Sequence, residues 1–267
     1  MIDLHSHDVR CGHAADRLEA MALAAAERGA IVFGFSDHAP LFAHNADHPA
    51  PGTQMARSQW PGYLAEAREV RSRFSREYPH LELLIGTEAD WLPGTEDVYS
   101  VELDAAQLDF VLGSVHEIGD VHIYKQRTHH LITDTDQLHR DYWRLTREAV
   151  QSRLFDILAH MDAVKARLPS PLAAMDAEIE ETLDCIADHD VAVEINSAGL
   201  RKTTEFFPSR TILQGLVTRG VPITFGSDSH SVAEVGHGYH EAVKLLAELG
   251  LRKLVIFRQR ERFYLPI

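Results

Sequence analysis

Cysteine is scarce: Cys11 and Cys185 stand far apart in a chain of 267 residues. Two distant thiols cannot form a disulfide framework, and without one a reducing compartment is the expectation. Basic residues are also in the minority, 26 against 40 acidic ones, for a formal net charge of −14. Such a balance argues against a nucleic-acid partner or an anionic membrane surface. No apolar run approaches the roughly 18 residues that a membrane span needs. The start, Met1-Ile2-Asp3-Leu4-His5, lacks the basic and then apolar segments of a secretory signal, so a cytoplasmic location is expected. Linkers, low-complexity tracts and charged tails are missing too, and one domain over 1–267 is expected. What the chain has is a globular balance, 45% hydrophobic and 25% charged, and an excess of histidine, 17 residues.

Short apolar runs alternate with longer amphipathic ones. The runs are Met1–Leu4, Ala30–Phe35, Leu81–Gly86, Leu108–Gly113, Leu154–Ala159, Val191–Ile195 and Val221–Gly226. Their length and flanking turn residues predict strands buried on both faces, as in a parallel sheet. Helical periodicity fills the gaps at Asp16–Arg28, Arg57–Tyr78, Thr135–Ser152, Asp176–His189, Ser209–Arg219 and Val235–Leu249. Lys253–Leu265 reads as a closing strand or hairpin. Repeated strand-helix units predict an α/β fold with right-handed crossovers.

The residues that follow the runs share one chemistry. They are His5-Ser6-His7, Ser36-Asp37-His38, Gly86-Thr87-Glu88, Ser114-Val115-His116, Ala159-His160, Glu194-Ile195-Asn196 and Ser227-Asp228-Ser229-His230. A barrel gathers the C-terminal ends of its strands at one mouth, whereas an open sheet would spread them along a line. Imidazoles and carboxylates concentrated there suit Zn, Fe or Mn. In His5-x-His7, alternate residues of an extended backbone point the same way. A lone His-x-His is a weak signal in so histidine-rich a chain; its recurrence with other ligands at strand end after strand end is not.

From His5 to His230 the sequence resembles the polymerase and histidinol phosphatase (PHP) family, and within it the histidinol-phosphatase branch. The resemblance rests on Asp3-Leu4-His5-Ser6-His7 with His13 after it, Phe35-Ser36-Asp37-His38, Gly86-x-Glu88, Ser114-Val115-His116, His160, and Gly226-Ser227-Asp228-Ser229-His230. The branch is suggested by Asp37-His38-Ala39-Pro40, by the long segments after the second and fourth strands, and by Asn196–Lys202. It implies a distorted (β/α)7 TIM-like barrel with three divalent metal ions (Zn, Fe or Mn) at the C-terminal ends of the strands. Carried over, the first would sit on His5, His7, Glu88 and Asp228. The second would sit on His116 and His160, bridged to the first by Glu88. The third would sit on His13, His38 and His230.

The resemblance further implies hydrolysis of a small phosphate ester, L-histidinol phosphate, to L-histidinol and phosphate in histidine biosynthesis, through attack of a metal-bridging hydroxide. Glu88, Asp228 and His230 are the expected catalytic residues. Arg201, Lys202 and Lys165 are candidates for the substrate phosphate, and Asp162, Asp37 or Glu117 for its ammonium group. Ser6 and Ser114 look like nucleophiles but have no base paired with them. Two other readings stay open: a phosphoesterase of the same family acting on nucleotides or phosphotyrosine, and a metal-binding module without turnover. The other ten histidines read as solvated or structural, though one or two from the insertions at 39–56 and 117–134 could fold over the mouth as part of a lid.

Overall fold

The computed structural model describes residues 1–168 and 175–267. In chain order its elements are β1 (Ile2–Asp3), α1 (Leu18–Glu27), β2 (Val32–Phe35), α2 (Trp60–Glu77), β3 (Glu82–Asp90), α3 (Glu96–Ala105) and β4 (Phe110–Ser114). There follow β5 (Glu117–Ile118), β6 (Val121–His122), α4 (Thr135–Ser152), β7 (Ile157–Leu158), α5 (Asp176–Asp188), β8 (Ala192–Asn196) and α6 (Ala198–Lys202). The chain ends with α7 (Arg210–Thr218), β9 (Ile223–Gly226), α8 (Tyr239–Glu248), β10 (Lys253–Arg258) and β11 (Glu261–Pro266). Among the described residues, seven parallel strands form one sheet in the order β1-β2-β3-β4-β7-β8-β9. Its two edges meet: Leu4 N–H donates to Phe225 O at 3.0 Å, and Ser6 and Ser229 form a parallel bridge. The sheet is thus a nearly closed seven-stranded barrel with helices around it, as expected for the TIM-like fold.

The strands close tightly because side-chain volume alternates inside them. Phe110 of β4 is fully buried, and its ring fills the space above two glycines. A Cβ on Gly86 of β3 would lie 2.5 Å from that ring, and one on Gly34 of β2 would lie 2.7 Å from it. Outside the barrel, α4 shows why the helices pack. Asp134 caps it by accepting from Gln137 N–H at 2.9 Å. Leu138, Tyr142, Leu145 and Ala149 form its buried stripe, while Arg144 pairs with Asp141 and Glu148 on the outer face. Each large apolar side chain so buried contributes about 1.5–3 kcal/mol.

The C-terminal hairpin β10-β11 seals the end of the barrel away from the mouth. Leu254, Val255, Ile256 and Phe257 are buried there. Its arginines reach acidic residues in or just before three strands: Arg258 pairs with Glu82 at 2.6 Å, Arg260 with Asp156 at 2.5 Å and Arg262 with Asp190 at 2.7 Å.

Several elements depart from the sequence reading, among them the short β5, β6 and α6, which it did not predict. Helix α3 has no predicted counterpart, because exposed Val98 and Val101 blur the stripe made by Tyr99 and Leu103. Helix α8 begins at Tyr239 and not at Val235, since Gly236 and Gly238 take φ of +67° and +74°, outside helical geometry. Strand β3 runs on to Asp90, so Glu88 lies within the strand, paired in register with Leu112. No helix among the described residues is long and apolar enough to cross a membrane.

A methyl group on Gly86 has nowhere to go but into the Phe110 ring. Gly86→Ala is therefore expected to destabilise the chain by about 1–3 kcal/mol in urea unfolding. An unchanged midpoint would show that the ring is not so confined.

Candidate metal centre

The strand ends bring the predicted ligands together. His5 and His7 follow β1, and two serines fix that extended segment beside β2. Ser6 N–H donates to Ser36 Oγ at 2.9 Å, and Ser6 Oγ donates to Gly34 O at 2.8 Å. Ser114 Oγ donates to Glu88 Oε1. Both candidate nucleophilic hydroxyls thus serve the scaffold. Asp3, fully buried, accepts from Ser227 N–H at 2.9 Å and Gly236 N–H at 3.0 Å, tying β1 to the segment that carries Asp228 and His230.

Glu88 stands at the middle, 1% exposed. Its Oε2 lies 3.3 Å from His5 Nε2, 3.5 Å from His7 Nε2 and 3.1 Å from His38 Nδ1. Its Oε1 faces the other way, 2.8 Å from His160 Nε2 and 3.7 Å from His116 Nε2. Each carboxylate oxygen therefore has its own set of imidazoles. Asp228 Oδ1 closes the first set, 3.1 Å from His7 Nε2 and 3.9 Å from His5 Nε2. Among the described residues four tight groups result, with donor atoms within 4.8 Å of one another: His5-His7-Asp228, His7-His38-His230, His38-Glu88-His116 and His7-Cys11-Asp37. His13 belongs to none of them, although its ring centroid is 4.7 Å from that of His230 and 5.3 Å from that of His38.

The donor set fits cations. His5 Nε2 and His7 Nε2 face each other at 3.1 Å, and so do His116 Nε2 and His160 Nε2 at 3.2 Å. Paired lone pairs in a buried cluster call for a shared electrophile. The electrostatics of these groups point the same way. Burial works against charge on His5, but Glu194, Glu88 and Asp228 hold its pKa well above the usual value. His7 is likewise carried to about 9, its burial outweighed by hydrogen bonds with Asp228 and Asp37. Burial and the neighbouring His7 push His230 down to about 2, and burial lowers His13 and His38. Glu88 and Asp228, despite burial, lie well below the usual carboxylate range because cationic neighbours surround them. Charge is thus favoured on His5 and His7, each held by carboxylates on both ring nitrogens, while His13, His38 and His230 keep neutral donor nitrogens. Two of the expected ligands also adopt unusual backbone geometry, with φ of +52° at Asp228 and +22° at His160, a strain of about 1–3 kcal/mol that persists where surroundings demand it.

The cluster opens into a cavity of about 530 Å³. Both insertions supply walls: Gly52 and Thr53 from the first, and His122, Tyr124 and Lys125 from the second. The His122 ring stacks on His116 with centroids 5.8 Å apart and an interplanar angle of 3°. Arg201 and Lys202 line the cavity, as does Arg167. Arg201 Nη2 donates to the carbonyls of Ser227 and Asp228 at 3.1 and 2.9 Å, while its buried Nη1 has no protein partner. Lys202 Nζ lies 3.4 Å from Asp228 Oδ2 and over the Tyr124 ring.

Lys165 differs from the expectation. Its ammonium is taken by Asp162 at 2.8 Å and Glu205 at 3.0 Å, and it is not among the cavity residues. The i,i+3 geometry of the turn at Asp162 binds it locally. Asp162 is thereby occupied, and neither it nor Asp37 nor Glu117 lines the cavity, whose acidic residues are Glu88, Asp228 and Glu234. Two further carboxylates stand behind the rings: Asp90, which the sequence reading did not single out, and Glu194, which it placed at a strand end without a partner. Asp90 Oδ1 lies 2.6 Å from His116 Nδ1, and Glu194 lies 3.0 and 2.9 Å from His5 Nδ1. Asp90 is two residues beyond Glu88 on one strand face, the only local signal of its part.

A PHP domain family model matches residues 3–198. A probable histidinol-phosphatase of Deinococcus radiodurans is 34% identical over 98% of both chains. A histidinol-phosphatase of Lactococcus lactis is 27% identical over 81% of both. A crystal structure of histidinol phosphate phosphatase from Lactococcus lactis, in complex with Zn, L-histidinol and phosphate, is similar with a TM-score of 0.80. It is 23% identical in sequence, over 98% of each chain.

Zn²⁺ added to the chelator-treated chain should raise its thermal midpoint, by the equivalent of about 2.7 kcal/mol at a hundredfold excess over Kd. A midpoint unmoved by Zn²⁺, Mn²⁺ and Fe²⁺ would contradict the cation-binding reading of this cluster.

Proposed function

The chain belongs to the PHP domain family, and from that premise we propose that it is a metal-dependent phosphatase that hydrolyses L-histidinol phosphate to L-histidinol and phosphate. The observation that carries the reading is the two-sided environment of Glu88. One oxygen is turned to His5, His7 and His38 and the other to His116 and His160. In this reading His5, His7, Glu88 and Asp228 hold a first divalent ion, and Glu88, His116 and His160 hold a second. His38 and His230, with His13 alongside, hold a third. Bound there, divalent ions supply Lewis acidity toward phosphoryl oxygens and lower the pKa of water.

The chain's own residues do the rest. Glu88 and Asp228 are buried, so their charge acts at low dielectric and fixes the ligand rings around them. Arg201 is held by two backbone carbonyls and by Glu234, whose Oε1 lies 3.3 Å from its Nε, which aims the guanidinium without consuming its free Nη1. That leaves one charged donor for a phosphoryl oxygen, with Lys202 beside it. His122 and Tyr124, from the second insertion, offer aromatic walls for the part of the substrate that leaves. The Tyr124 hydroxyl is buried without a protein partner among the described residues, so a polar substrate group that reached it would satisfy it at no further desolvation cost to the hydroxyl.

Glu88→Ala should remove metal and phosphate release together, read by elemental analysis and a phosphate assay on the same sample. Wild-type turnover in that variant would sink the assignment. L-histidinol phosphate should exceed a nucleoside monophosphate and p-nitrophenyl phosphate in kcat/KM by at least about 100-fold; equal rates would point to an unselective phosphoesterase. Arg201→Met should lower kcat/KM by about 10- to 150-fold, the loss of one charge-assisted hydrogen bond of about 1.5–3 kcal/mol. An unchanged value would take Arg201 out of phosphate binding.

A further inference from the structure

Glu194 is a fully buried carboxylate, and among the described residues no Lys or Arg pairs with it; the ring beside it is that of His5. An anion so placed must be bound by hydrogen bonds or it costs several kcal/mol. Its contacts are specific. Oε1 and Oε2 lie 3.0 and 2.9 Å from His5 Nδ1. Oε1 also accepts from the backbone N–H of His160 at 2.6 Å and from Asn196 Nδ2 at 2.6 Å. Asn196 is in turn held by Ala198 N–H, which donates to its Oδ1 at 2.9 Å. The neighbouring strand leaves room for nothing else: a Cβ on Gly226 would come within 2.2 Å of Glu194 Oε2 and 2.7 Å of His5 Cβ.

One side chain therefore grips a ring on one side of Glu88 and the backbone of a ligand on the other. The grip on His5 keeps the Nδ1 proton against a carboxylate and leaves the Nε2 lone pair facing Glu88. The grip on His160 pins a residue whose backbone holds φ of +22°. We propose that Glu194 is a positioning residue that sets the ring tautomer of His5 and the placement of His160, and so couples the affinities of the two ion sites. The inference rests on the metal-binding reading above, not on the identity of the substrate.

Glu194→Gln preserves shape but not function at this point. A carboxamide has one acceptor oxygen and one donor nitrogen. If its oxygen keeps the His160 N–H, its nitrogen faces His5 Nδ1 and drives the ring proton to Nε2, where it blocks the ion. Loss of such a supporting carboxylate costs roughly 10- to 100-fold in metal affinity. The test is a zinc-retention titration of E194Q and wild type against a chelator, with no substrate present and bound zinc counted per chain. E194Q should lose zinc at a chelator concentration about 10- to 100-fold lower. Its turnover should return toward wild type when zinc is raised, which a packing defect would not allow. Zinc retention equal to that of wild type overturns the proposal, and so does a loss that added zinc never restores in a folded protein. If E194Q does not fold, histidine-ring nitrogen NMR of the zinc-loaded wild type decides. A His5 signal with the proton on Nδ1 supports the inference, and a proton-free Nδ1 overturns it. A chain that holds zinc in this manner but leaves L-histidinol phosphate intact would defeat the proposed activity alone.

Discussion

Glu88 sits at 1% exposure with imidazoles against both of its oxygens, and the rest of the site is arranged around that fact. A carboxylate there would be expelled or protonated in an ordinary core, because an unpaired buried ion costs several kcal/mol. Here it is retained as an anion by the cationic character of what faces it. Of the rings that face it, His38 and then His5 do most to hold its carboxyl down; with divalent ions in the proposed sites, these ring nitrogens would serve as donors instead. The barrel makes this possible by delivering the proposed ligands from six separate strands to one point, so no single segment carries the whole strain. Further carboxylates, Asp90 and Glu194, stand behind the rings and orient them.

The same arrangement reconciles an acidic chain with an anionic substrate. A net charge of −14 disfavours an extended polyanion. The mouth is another matter: its proposed ligands are mostly neutral imidazoles, so bound divalent cations leave it locally positive, and Arg201 and Lys202 stand at its rim. Selectivity then falls to the walls from the two insertions, which reach the cavity but belong to no barrel strand.

Much of this was legible in the sequence, for physical reasons. All seven barrel strands overlap apolar runs, and β1, β2, β7 and β9 lie wholly inside them, because a strand covered on both faces has no alternation to hide it. The ligands follow those runs, because strand ends converge in a barrel. What stayed hidden depends on distant geometry. Nothing local marks Glu194 among 40 acidic residues as the partner of His5, 189 positions away. Lys165 looked free to meet phosphate, yet a turn three residues long brings it to Asp162. Helix α3 was obscured by valines that face solvent, where apolar side chains carry no packing information.

Anomalous diffraction from crystals of the metal-loaded chain, with data on both sides of the absorption edge, tests the bridging part of Glu88 most directly. Peaks within coordination distance of each Glu88 oxygen are expected, one shared with His5 and His7 and the other with His116 and His160. Ions bound only away from Glu88, or a single peak served by one of its oxygens with the other left to hydrogen bonds, would contradict the account.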